Sequence, residues 1–184
     1  MRVLNLFYTL TKNTEKVAQQ IHDAIEELGY PIDTINVTSA EQDIDILQYN
    51  MVFMGSGVYG SLPGQPLIKL LQRLTPKYKK AGELKPACPR RPSAYTVIYC
   101  TYGGGHTGIN EAVPAVKIMG QFYDHLGYTI VSEWYIVGEY LTEKNRNLSV
   151  DGRLGDIRGR PNQQDLLEVK EKVLGLFKSL PITN

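Results

Sequence analysis

Hydrogen-bonding side chains crowd one short stretch, Thr9-Leu10-Thr11-Lys12-Asn13-Thr14, between an apolar run and a helical pattern. That composition suits an anion cradle. A helix start offers about four unpaired backbone N–H groups and a partial charge near +0.5. An anion placed there needs no arginine. Thr9, Thr11, Asn13 and Thr14 would add side-chain donors, and Lys12 would add charge. Ordinary capping by Asn13 or Thr14 requires one such residue, not four. The stretch has no glycine, so it is neither a P-loop nor a dinucleotide fingerprint.

Two later stretches are glycine-rich. "GSGVYGSLPG", residues 55–64, contains Ser56, Gly57, Val58, Tyr59 and Gly60. Glycine lets a backbone approach a ligand closely, and Tyr59 offers a ring for stacking on a planar group. "TYGGGHTGIN", residues 101–110, places Gly103, Gly104 and Gly105 after Thr101 and Tyr102. Three bare backbone units suit the polar edge of a flat heterocycle, and Tyr102 is a second candidate for stacking. His106 reads as an exposed loop histidine, and no metal-ligand spacing occurs. One loop thus suits a phosphate and two suit a flat ring. A mononucleotide such as FMN satisfies all three, with its redox chemistry tuned by the loops.

The surrounding pattern supplies the elements that hold these loops. Residues 2–8 form a near-continuous apolar strand, as expected when both sheet faces are covered. Val17, Ile21, Ala24, Ile25 and Leu28 recur at helical spacing, with Gly29 at the C-cap position. Residues 32–37 alternate as an edge strand does, and a short helix is expected over 41–47. Strands follow at 50–56, 94–101 and 128–137. Leu67 to Leu74 mark one helix, and Ile109 to Leu126 another that must begin near Asn110 to tolerate Pro114. A final helix carries Leu166, Val169, Val173 and Phe177. Alternating strands and helices predict a five-stranded parallel α/β sheet, doubly wound, with helices on both faces. The strand order is either 3-2-1-4-5 or 2-1-3-4-5, and both bind ligands at the carboxyl edge. Residues 77–93, basic and proline-rich, and 138–162, long and polar, read as loops. Loops of that length are usually lids or mobile segments.

The 184 residues predict a single domain, 1–184. A net charge of +1 argues against a nucleic-acid binder working through a broad positive field. No apolar run reaches the roughly 18 residues of a membrane helix, and the first residues lack a signal-peptide pattern. The expectation is a cytoplasmic protein. Cys88 and Cys100 are too few for an iron–sulfur cluster or a structural zinc site. Cys100 is expected in the core and Cys88 at the surface.

These residues resemble the flavodoxins and flavodoxin-like flavoproteins over roughly the whole chain. "FYTLTKNTEKVA" is similar to that family's phosphate-loop signature. The resemblance implies that Thr9 to Thr14 hold the FMN phosphate, with Lys12 where the family usually has glycine. It implies that Ser56 to Gly60 form the second flavin loop, with Tyr59 against the ring. It implies that Thr101 to Gly105 meet the pyrimidine edge, and it selects the order 2-1-3-4-5. "RGRPNQQDL", residues 158–166, resembles the closing motif of a subgroup of this family. The near-neutral charge departs from the strongly acidic electron-shuttle flavodoxins. Three functions are therefore carried forward. The first is electron transfer through bound FMN, with redox partner proteins or a small-molecule acceptor. The second is an NAD(P)H-dependent flavin or quinone reductase, in which Arg90, Arg91, Arg153, Arg158 or Arg160 would meet a nucleotide phosphate. The third is an interaction module without flavin.

Overall fold

Strand β1, Val3–Tyr8, is buried from Val3 through Phe7, which places it in mid-sheet. In the computed structural model, which describes residues 1–180, it lies between β2 (Ile32–Asn36) and β3 (Met51–Gly57). β4 (Tyr95–Tyr102) and β5 (Thr129–Val137) complete a parallel sheet of order β2-β1-β3-β4-β5. This is the 2-1-3-4-5 order expected from the resemblance. β1, β3 and β4 are apolar on both faces and lie inside. β2 is half-buried along its length and lies at the edge.

Helices α1 (Asn13–Glu27) and α5 (Gln163–Ser179) cover one face, through Val17, Ile21, Ile25, Val169, Val173 and Phe177. Helices α2 (Gln65–Lys80) and α3 (Val113–His125) cover the other, through Leu67, Leu70, Leu74, Val116 and Met119. Each such side chain contributes about 1.5–3 kcal/mol on full burial. A short helix α4, Leu148–Asp151, lies between β5 and α5. Under the loops, Asn5 locks three elements together. It donates to Ala18 O at 2.9 Å and accepts from Tyr99 Oη at 2.9 Å. Cys100 is buried as expected, and burial pushes its thiol up to about 12; Cys88 is half-buried. Among the described residues no helix is long and apolar enough to cross a membrane.

Three expectations are corrected. The helix over 41–47 is absent, and only a 3-10 turn, Ile46–Gln48, forms there. Asp45 turns back to accept from Leu47 N–H at 3.3 Å, a competition with helix that short polar side chains favour. Arg73 of α2 takes the carbonyls of Ala40, at 2.6 Å, and Gln42. Residues 77–80 are not loop: they finish α2, and Tyr78 is core. Segment 138–162 is not structureless. Its Ser149 Oγ accepts from Tyr140 N–H at 2.8 Å, and its Ser149 O accepts from Ile157 N–H at 2.8 Å. It folds onto the loop after β4 through Arg153 N–H to Gly105 O, 2.9 Å.

Candidate functional site

The segments after β1, β3, β4 and β5 meet at the carboxyl edge of the sheet around a cavity of about 460 Å³. That size lies in the range of small-molecule sites.

The first segment reaches α1 through Lys12, whose φ of +65° is left-handed. That conformation costs an L-residue roughly 1–2 kcal/mol, which is why glycine is common at such a position. Lys12 keeps the same backbone shape with its side chain exposed. No side chain caps the helix. The N–H groups of Asn13, Thr14 and Glu15 find no acceptor among the described residues. Asn13 and Thr14 are occupied elsewhere. Thr14 Oγ1 is buried against Thr101 Oγ1 at 2.8 Å, fastening α1 to the end of β4. Asn13 Nδ2 donates to Glu139 O at 2.9 Å, while its buried Oδ1 has no partner. Leu10, Thr11 and Asn13 line the cavity; Thr9, Lys12 and Thr14 do not.

In the second segment Ser56 is structural. Its hydroxyl donates to Gly57 O at 2.7 Å and accepts from Gly64 N–H at 2.9 Å, closing the loop at its base. Gly57, Val58, Tyr59 and Gly60 line the cavity. Val58 N–H bonds Thr101 O at 3.0 Å, so this segment extends the β3–β4 pairing.

In the third, Thr101, Tyr102, Gly103 and Gly104 line the cavity, and Gly105 lies just behind it. Tyr102 is only 8% exposed, so most of its ring is committed to the core. Burial, with a smaller contribution from Cys100 and against an opposing one from Arg160, raises its pKa. Glu111 Oε1 accepts from His106 N–H at 2.6 Å and Thr107 N–H at 2.7 Å, which folds the loop back on itself.

Sequence reasoning missed the fourth wall. Glu139, Tyr140, Leu141 and Thr142 follow β5 and also line the cavity. Tyr140 Oη accepts from Gly105 N–H at 3.1 Å, and its ring covers Gly103 so closely that a Cβ there would overlap Cε2. The available signal was topological. In a parallel sheet the residues after β5 share an edge with those after β1, β3 and β4.

No lysine or arginine lines the cavity. An anion bound there would rely on backbone N–H groups and the α1 dipole. Arg90 and Arg91 lie at the opposite edge of the sheet, beside the turn before β5. Arg90 pairs with Asp124 at 2.6 Å and donates to Tyr128 O at 2.6 Å. Arg91 pairs with Glu83 and donates to Leu126 O at 2.7 Å. Arg158 pairs with Asp156 at 2.6 Å, and Arg160 pairs with Asp165.

No family model matches the chain. An uncharacterised protein of Methanocaldococcus jannaschii is 25% identical over 182 residues, 97% of this chain and 100% of that protein. Among solved structures, oxidised flavodoxin 1 of Bacillus cereus superposes with a TM-score of 0.66 at 14% identity, covering 98% of this chain and 99% of that one. The flavodoxin of Streptococcus pneumonia TIGR4 gives 0.64 at 16% identity, covering 98% and 100%. The rubredoxin oxygen:oxidoreductase of Desulfovibrio gigas gives 0.59 at 11% identity, covering 94% of this chain and 34% of that one. The chain has the flavodoxin-like fold.

Proposed function

We propose that this chain binds FMN non-covalently and transfers electrons through it. The observation that carries this reading is the uncapped start of α1 opening on a cavity whose lining has no lysine or arginine. The switch-point rule, for which the flavodoxin fold is itself a standard example, puts the ligand of a 2-1-3-4-5 sheet beside β1 and β3.

The residues fit the group. The N–H groups of Asn13, Thr14 and Glu15 suit a terminal monophosphate. The unpartnered Oδ1 of Asn13 suits a sugar-alcohol hydroxyl next to it. The backbone at Gly103 and Gly104 suits the polar edge of a flat ring. The flavin, when bound, supplies the electron-accepting and electron-donating chemistry. The chain's part is to bind, to orient and to exclude water. Tyr59 and Tyr140 restrict access from the second and fourth segments. The recipient of the electrons is a partner protein or a small acceptor at the cavity mouth.

Electron transfer is favoured over NAD(P)H-driven reductase chemistry by the arginines. Arg90 and Arg91 lie at the other edge of the sheet, and Arg158 and Arg160 are held in ion pairs; Arg153, against the loop after β4, is the one of the five with no ion pair among the described residues. The test is the absorption spectrum of the purified protein, followed by anaerobic NADPH. A flavin spectrum that NADPH alone does not bleach is expected. Rapid bleaching would support the reductase, and colourless protein that stays colourless after incubation with FMN would support a flavin-free module.

A further inference from the structure

The loop after β3 fixes one phenol in an informative place. Tyr59 and Leu62 pair across a tight turn, with N–H to O distances of 2.8 and 3.2 Å. The turn residues Gly60 and Ser61 both have positive φ, +57° and +64°, as a type I′ turn requires. This small hairpin holds Tyr59 at its root. The ring stands edge-on to Tyr8, with centroids 5.9 Å apart and planes at 62°. It crosses Gly57 so closely that a Cβ there would lie 2.6 Å from the hydroxyl oxygen. Glycine at 57 therefore lets the phenol reach the segment after β1. There Tyr59 Oη accepts from Leu10 N–H at 2.9 Å.

A phenol that accepts one bond still has a proton to donate. Among the described residues none accepts it. Burial pushes the Tyr59 pKa up to about 12, so the proton stays in place at neutral pH. Leu10, which the phenol contacts, precedes the uncapped start of α1 at Asn13 by three residues. Asn13, 5% exposed and with Oδ1 unpartnered, lines the same cavity.

We infer that Tyr59 is a specificity residue for the phosphate end of the ligand, donating its hydroxyl proton to a phosphate-monoester oxygen at the start of α1. This rests on the FMN reading above and changes the role of Tyr59 from a stacking ring to a hydrogen-bond donor. Leu10 N–H orients the hydroxyl, and the hairpin and Tyr8 orient the ring. The anion is then met by backbone N–H groups and one neutral phenol, with no cation. Such a site prefers a phosphorylated flavin over the same flavin without phosphate.

The test titrates the parent protein and Tyr59→Phe with FMN, riboflavin and inorganic phosphate separately. The substitution keeps the ring and removes the donor. The expected result is a loss of about ten- to a hundredfold in affinity for FMN, the range of one charge-assisted hydrogen bond. Inorganic phosphate should lose its thermal stabilisation of the protein in parallel, while riboflavin affinity stays within about twofold. Unchanged FMN affinity, or equal losses for FMN and riboflavin, would overturn the assignment. A parent protein that binds phosphate but no flavin would sink the FMN reading. In that case, loss of phosphate binding in Tyr59→Phe still supports Tyr59 as the anion donor, and retention overturns it. A parent that binds none of the three overturns both.

Discussion

Replacing Lys12 by glycine separates backbone shape from charge at the mouth of the proposed phosphate cradle. Lys12 holds φ +65° ahead of α1, and its side chain is exposed and outside the cavity lining. Releasing a left-handed L-residue returns roughly 1–2 kcal/mol. Glycine also loosens the unfolded chain, which costs about 0.4–1 kcal/mol. The net is a stabilisation of between about 0 and 1.6 kcal/mol. For a chain of 184 residues that raises Tm by at most roughly 6 °C. The lost charge acts on the phosphate only through solvent, where it is weak and screened by salt. FMN affinity should therefore change by less than about threefold, and less at high salt. Differential scanning calorimetry of the flavin-free protein and FMN titrations at two salt concentrations read both quantities. Lys12→Ala is the control, since it loses the charge and keeps the strain. A Tm that falls by several degrees in Lys12→Gly would refute the strain argument. A salt-independent loss of tenfold or more in FMN affinity in both variants would show that the ammonium touches the phosphate.

Three further outcomes follow from the same geometry. Thr14→Val removes the buried bond to Thr101 and leaves that hydroxyl unpaired, so it should cost about 1–3 kcal/mol in urea unfolding and weaken FMN binding. Gly103→Ala drives a methyl into the Tyr140 ring, so segment 138–162 should show faster amide exchange, with a stability loss of about 1–3 kcal/mol. Burial raises the Asp165 pKa, but the bonds from Arg160 and Asn162 N–H outweigh it and hold the carboxyl below the usual range. Because the folded pKa is the lower one, Asp165 contributes stability above the unfolded value of about 3.9 and loses it as pH falls through the folded value. Asp165→Asn should therefore be less stable at neutral pH and show a flatter decline between about pH 5 and 2 in thermal melts.

The sheet was legible because its interior strands are apolar on both faces, and β1, β3 and β4 stand out without any tertiary information. The first three cavity segments were legible by composition, but their division of labour was not. The hydroxyls of Thr14 and Ser56 look like ligand donors in the sequence but bond within the protein: Thr14 to Thr101, distant in the chain, and Ser56 to Gly57 and Gly64 of its own loop. The helix expected over 41–47 failed because Arg73, about thirty residues away, claims its carbonyls. Tyr140 was missed because a polar loop rich in glycine and arginine gives no local signal that one ring will close over Gly103.

Mapping FMN onto the protein with ¹H–¹⁵N correlation spectra tests whether the cavity at the carboxyl edge binds it. Saturation is expected at one FMN per chain. The largest amide shifts should fall at Lys12 to Glu15, Gly57 to Gly60, Gly103 to Gly105 and Glu139 to Tyr140. Shifts clustered at the amino edge of the sheet, or no shifts at millimolar FMN, would contradict binding there.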